Sequence, residues 1–367
     1  MRVAALVIML AAVLGGCGEP DRPEPEPSLS DRLGAGDDAG FARALEPRRF
    51  AFPADHGPHP DYRNEWWYFT GNLAGADGRR FGYQLTLFRI ALIPQAVQRA
   101  SAWATRDVWM GHLAVSDAAR AEHRESERFA RGAAGLAGAQ TEPLRIWLDD
   151  WVIASPDGQT WRLQAAAEDI AVDLELTALR APTLQGDAGL SRKSAQPGNA
   201  SYYYSITRLA TRGEVRLGAD RVGVAGLSWL DREWSTSALA EDQAGWDWFA
   251  LQFEDGRDVM YYRLRRSDGT TDPMSSGSLL AGDGSRQTLN AAEVALTPLR
   301  WWRAEDGTDY PVAWLLALGD GPPLRVEAVF DDQRMDVSVR YWEGMVRVLD
   351  AAGAELLGRG YMELAGY

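Results

Sequence analysis

Along most of the chain apolar and polar residues alternate with a period of two over short stretches, and turn-type sequences separate them: ADGR at 76–79, SPDG at 155–158, SDGT at 267–270 and GDGP at 319–322. A period of two is the strand repeat, so the pattern predicts an all-β protein of antiparallel strands joined by tight turns. Helix-compatible spacing is confined to 37–45 and 118–130. Closing a sheet removes its unpaired edges, which at this strand number favours barrels. The strongest aromatic strands are NEWWYFTGNL (64–73), GLSWLDREWSTS (226–237), GWDWFALQFEDG (245–256) and YWEGMV (341–346). The segment STSALAEDQAG interrupts two of them and marks a seam, with one barrel predicted in 41–238 and one in 239–367.

The first residues, MRVAALVIMLAAVLGGC, join one positive charge to an apolar run too short to span a bilayer, with Gly15 and Gly16 before Cys17. That order predicts a lipoprotein signal over 1–16 and lipidation of Cys17, the single cysteine of the chain. Residues 17–40 open with a Pro- and Glu-rich stretch that buries too little surface to fold and reads as a tether. An extended stretch of 18–30 would reach roughly 40 Å at about 3.1 Å per residue. Gly18 after the cysteine, rather than Asp, points to the outer membrane, facing the periplasm. The expected location is therefore the cell envelope, with the membrane met only through the lipid anchor.

The formal net charge of −14 disfavours nucleic acid as a partner. His56, His59, His112 and His123 are the only histidines, and their spacing completes no metal site. No G-x-S-x-G elbow, phosphate-cradling loop or dinucleotide fingerprint occurs. What remains is cofactor-free acid, base and aromatic chemistry, on a lining that either packs shut or holds an apolar guest.

Strand parity selects the candidates. Asp247 shares a face with Phe249, Leu251 and Phe253, where it is either an inward proton donor with a raised pKa or a strand-end acid paired with arginine. Asp231 and Glu233 share a face with Trp229, opposite Arg232 and Trp234; they either hold a water or form an ion-pair latch between domains. Arg89 continues the Tyr83, Leu85, Leu87 face and is expected to reach Glu65. In NASYYYSITRL, Tyr202, Tyr204 and Ile206 form one face and Tyr203, Ser205 and Thr207 the other, so either pocket or core is open.

The segments NEWWYFTGNL, GHLAVSD around His112, GNASYYYSITR, GLSWLDREW, GWDWFALQ, YWEGMV and GYMELAGY together resemble the AttH and CrtC-like family of secreted lipocalin-like proteins and carotenoid 1,2-hydratases. The resemblance implies two consecutive lipocalin-like β-barrels. It also implies functions ranging from hydration of acyclic carotenoids to pericyclic cyclisation, and association of some members with ABC-transporter permeases. On this basis the protein is expected to bind an isoprenoid or acyl lipid; the alternative is a cofactor-free hydro-lyase, isomerase or cyclase. In that alternative Asp247 is the acid, with Glu233 and Tyr202 orienting water. Trp66, Tyr204, Trp229, Trp234, Trp246 and Trp248 would contact the ligand. Where hydratase relatives tend to carry His in the Asp-x-Glu-Trp segment, this chain has Arg232, which cannot exchange protons.

Overall fold

The computed structural model describes residues 38–95, 99–237 and 239–367, so the signal, most of the tether and Cys17 lie outside the described residues. The described chain is all β apart from one short helical turn, Ala54–His56. Two antiparallel sheets curl into barrel-like units, the first running from strand Asn64–Gly75 to strand Asp220–Ser235 and the second from Gln243–Phe253 to Leu356–Ala365. In the first, the early meander Asn64–Gly75, Arg80–Ala91, Asp107–Asp117 and Glu122–Arg131 is followed by a second set that ends with Asp220–Ser235 paired back onto Asn64–Gly75. In the second, Leu356–Ala365 lies between Gln243–Phe253 and Tyr341–Asp350.

The expected helix over 118–130 is instead a turn and an edge strand, Glu122–Arg131. Its sequence, EHRESERFAR, has no apolar stripe to bury, whereas its backbone extends the ladder of Asp107–Asp117. Charged side chains suit a sheet edge, where they discourage pairing with another chain. The stretch 38–45 likewise forms turn and extended backbone.

Each unit packs its own interior shut. Trp67, Phe69, Leu85, Leu87, Trp161, Leu230 and Trp234 are buried in the first core. Phe249, Leu251, Trp314, Trp342 and Met362 are buried in the second. Because successive strand side chains point to opposite faces, the residues between these positions leave the cores and face outward. On the central strands those outward residues are also buried, because the two units press together there. Tyr68, Tyr203 and Trp229 of the first unit pack with Trp248, Met260, Tyr262, Met345 and Tyr361 of the second.

The seam is stitched by polar groups. Asn72 Nδ2 donates to Gly360 O at 3.0 Å, Gln252 Nε2 to Thr207 O at 2.6 Å, and Arg208 Nε to Asp258 Oδ1 at 2.8 Å. Arg180 Nη1 adds a second cation 3.2 Å from Asp258. Gly82 sits where a Cβ would strike Met345 and the Tyr361 hydroxyl, so the approach of the two sheets requires a glycine there.

One mouth of the first unit holds a buried ion cluster. Glu65, fully buried, pairs with Arg89, as expected from parity, and with Arg232, whose guanidinium lies 3.9 Å from the Trp67 ring. Burial alone would raise the Glu65 pKa, but Arg89 and then Arg232 hold it well below the ordinary carboxylate range. Removing one member strands buried charge on the others, so Glu65→Gln is expected to lower the unfolding free energy by about 3 kcal/mol. Chemical denaturation checks this, and an unchanged midpoint would show the cluster to be energetically idle.

Candidate functional site

Between the outer faces of the two units lies a cavity of about 130 Å³. That is close to the roughly 150 Å³ of a cavity known to hold benzene, so it takes one ring or one branched prenyl unit rather than a whole lipid. Its walls are aromatic: Trp66, Tyr68 and Phe88 from the first unit, and Trp246, Trp248 and Tyr262 from the second. Asp231, Glu233, Glu343 and Glu363 bring four carboxyl groups to the same space, and Lys193 is the only Lys or Arg among its lining residues.

The carboxyls divide by their partners. Lys193 Nζ lies 3.1 Å from Glu233 Oε1 and 4.2 Å from the Tyr262 ring centre. Burial disfavours the ammonium, but Glu233 and then Tyr262 together outweigh it, so the Lys193 pKa is raised and the ammonium is retained. Asp231 has neutral partners only. Ser205 Oγ donates to Oδ1 at 2.6 Å and Trp229 Nε1 to Oδ1 at 2.7 Å, while Tyr203 OH donates to Oδ2. Burial outweighs these bonds and pushes Asp231 up to about 7.

Glu343 and Glu363 face one another in register on adjacent strands. Tyr68 OH donates to Glu343 Oε1 across the seam, and Trp246 Nε1 donates to Glu363 Oε1 at 2.7 Å. No cation compensates them. Burial raises both, and the charge of Glu363 raises Glu343 further, well above the ordinary carboxylate value. Two facing carboxyls so placed titrate as a coupled pair, since charge on one disfavours charge on the other.

The expected site residues fall on both sides of their strands. Trp66, Glu233, Trp246 and Trp248 line the cavity. Trp229 stands behind it as a donor to Asp231. Tyr202, Tyr204 and Trp234 point the other way, into the first core and its mouth: Tyr202 OH donates to Glu46 O at 2.8 Å, Tyr204 OH lies 2.6 Å from His56 Nδ1, and Trp234 stacks on His59 at 3.6 Å. The face of that strand which reaches the seam is the one with Tyr203 and Ser205.

Asp247 also lies away from the cavity. Its parity with Phe249 and Leu251 holds, but that face is the closed interior of the second unit. There Arg263 Nε lies 2.6 Å and Arg265 Nε 3.4 Å from the carboxylate, and Tyr367 OH donates at 2.6 Å. It is the arginine-paired acid of the two alternatives. Asp231 and Glu233 are not a latch between units, since their partners all belong to the first; Asp258 with Arg208 and Arg180 is the ionic latch. Arg232 faces the first core and is not among the residues that line the cavity. Glu343 and Glu363, absent from the sequence-based candidates, carry the signal of an acid in an otherwise apolar strand face: Tyr341, Glu343, Met345 and Tyr361, Glu363, Ala365.

Fold and site thus define a class of paired barrel-like proteins with an acid-lined cavity at their seam. The AttH-like family model matches residues 43–367, and the chain belongs to that family. An AttH-type crystal structure from Nitrosomonas europaea is 33% identical with a TM-score of 0.81, covering 89% of this chain and 100% of that one. Kievitone hydratase from Nectria haematococca shares the fold at 13% identity and a TM-score of 0.65, over 89% of this chain and 98% of its own. CghA with Sch210972 does so at 13% identity and a TM-score of 0.51, over 89% and 96%. No curated protein matches the sequence.

The buried acids set the pH dependence of stability. An acid whose pKa is raised on folding binds its proton more tightly in the native state, so its contribution is lost as pH rises toward the folded value; Glu65, with a depressed pKa, contributes in the opposite direction, below the ordinary carboxylate range. Buried His56 and His123, both held down to about 4 by desolvation, oppose this decline over the same range, so the acid shows in the difference between two proteins: the unfolding free energy of wild type minus that of Asp231→Asn is expected to fall as pH rises from the ordinary aspartate range to about 7. Urea midpoints of both proteins across that range test it, and a difference that stays flat or rises with pH would contradict the neutral Asp231.

Proposed function

We propose that the protein is a cofactor-free hydro-lyase or isomerase acting on a carbon–carbon double bond of an isoprenoid-type lipid, with Glu343 as the acid. The observation that carries this reading is a pair of uncompensated buried carboxyls, Glu343 and Glu363, facing an aromatic cavity. Protonating an alkene needs a carboxyl that is neutral near pH 7 and a surface that tolerates the resulting cation. The Glu343 O–H proton forms the new C–H bond with the π electrons, leaving a tertiary cation. Aromatic faces such as Trp66, Trp246 and Trp248 stabilise a cation by about 0.5–2 kcal/mol each. Water then adds to the cation and gives its proton to a cavity carboxylate. Glu363, opposite Glu343, is placed to return it, so the acid is restored and the sum is addition of one water. Loss of a neighbouring C–H proton instead of water capture gives an isomer. One protein sharing the fold is named a hydratase, which agrees with the reading.

Cavity size narrows the substrate to the end of a chain. A pocket for a complete drug-sized ligand occupies about 300–1,000 Å³, so this cavity of about 130 Å³ holds a terminal prenyl unit while the remaining lipid stays outside. A carrier that sequesters whole lipids is correspondingly disfavoured. Lipidation at Cys17 would station the enzyme at the cell envelope, where such lipids reside, and an ABC-transporter permease is the partner that the family resemblance implies.

The test is incubation of the protein with host lipid extract in ¹⁸O-labelled water, followed by mass spectrometry. The expected product carries one labelled water, and Glu343→Gln reduces its formation by roughly a hundredfold or more. Asp247→Asn, when folded, retains it. Recovery of unaltered lipid alone would refute the hydratase reading and restore the carrier.

A further inference from the structure

Glu343 is buried, so any proton it exchanges with solvent needs a path. The Tyr341 hydroxyl lies 2.7 Å from His112 Nδ1, and His112 Nε2 lies 3.0 Å from Glu127 Oε1. His112 is fully buried, with the Phe88 ring edge-on at 5.4 Å. Glu127 is partly exposed and accepts from Ser338 Oγ at 2.7 Å and from the Ser338 amide at 3.2 Å, with Ser338 itself at the surface. At the inner end Tyr341 and Glu343 line the cavity from one face of the same strand. Glu343 Oε2 accepts no hydrogen bond among the described residues, and the Tyr341 hydroxyl is close enough to favour the Glu343 anion against burial. Through its two ring nitrogens His112 joins a surface carboxylate to a cavity phenol.

We propose that Glu127, His112 and Tyr341 form the proton inlet through which Glu343 exchanges with bulk solvent. The inference rests on the reading of Glu343 as the acid. In the loaded state Glu343 carries its proton, Tyr341 donates to His112 Nδ1, and the Nε2–H of His112 donates to the Glu127 carboxylate. Discharge passes the Glu343 proton to the Tyr341 oxygen, the Tyr341 proton to Nδ1, and the Nε2 proton to Glu127, which releases it to water. With the release to water counted, four bonds to hydrogen break and four form. The imidazole changes from the Nε2–H to the Nδ1–H tautomer without rotating, and the same steps in reverse reload Glu343.

Infrared spectroscopy of the full-length protein tests the inlet without a substrate. The C=O stretch of the protonated carboxyl, assigned to Glu343 by its loss in Glu343→Gln, is followed after transfer from H₂O to D₂O. His112→Gln and Glu127→Gln are expected to slow its isotope shift by about tenfold or more. Glu127 is partly exposed on an edge strand, so its variant decides the matter if His112→Gln does not fold. Exchange as fast as in the wild type would show that solvent enters the cavity directly and would overturn the inlet. With four histidines in the chain, ¹⁵N spectra of histidine-labelled protein give a second readout: His112 is Nε2–H while the Glu343 band is present. Absence of that band at neutral pH would sink the acid reading by itself. The inlet then requires the Nδ1–H tautomer, and finding Nε2–H in that state overturns it as well.

Discussion

Everything at the site depends on the exclusion of water where two curled sheets meet through their outer faces. A barrel's outer face is ordinarily solvated, and carboxyls on it would be ordinary anions. Here the glycine at position 82 and the bonds from Asn72, Gln252 and Arg208 bring the second unit against the first. Tyr68 then meets Glu343, and Trp248 Nε1 reaches the Tyr203 hydroxyl at 3.2 Å. Loss of solvation on both sides disfavours charge on Asp231, Glu343 and Glu363, which is a property of neither unit alone. The cavity is therefore a product of the packing between units, while the lumens serve as cores.

That arrangement explains how far the sequence could be read. Alternation identified the all-β fold, and it grouped Asp247 with Phe249 and Leu251 and Tyr203 with Ser205 correctly. Parity reports which residues share a face, but it does not say which face is the lumen when both are apolar. In ASYYYSIT nearly every residue is buried, one set in the first core and the other at the seam. The reading that placed Tyr202, Tyr204 and Asp247 at the ligand assumed that the inward face was the functional one. The opposite faces of the same strands hold Tyr203, Trp246 and Trp248. Glu343 and Glu363 were legible as acids in apolar strands, but their facing one another arises from a register between strands that single-strand patterns do not contain.

Arginine placement separates the ion-paired acids from those of the cavity. Glu65 has Arg89 and Arg232, Asp258 has Arg208 and Arg180, and Asp247 has Arg263 and Arg265. Each of these carboxylates is buried with permanent positive charge, and removal of a partner would leave an unpaired ion. The cavity has no arginine, and its single cation, Lys193, is committed to Glu233. Asp231, Glu343 and Glu363 are consequently left with neutral donors that orient a carboxyl without fixing its charge. A nearby guanidinium favours the anion, whereas neutral donors leave burial to push the carboxyl toward its protonated form. The same distribution that pairs the carboxylates of the two cores and of the ionic latch with arginine thus leaves the cavity carboxyls to burial and neutral donors.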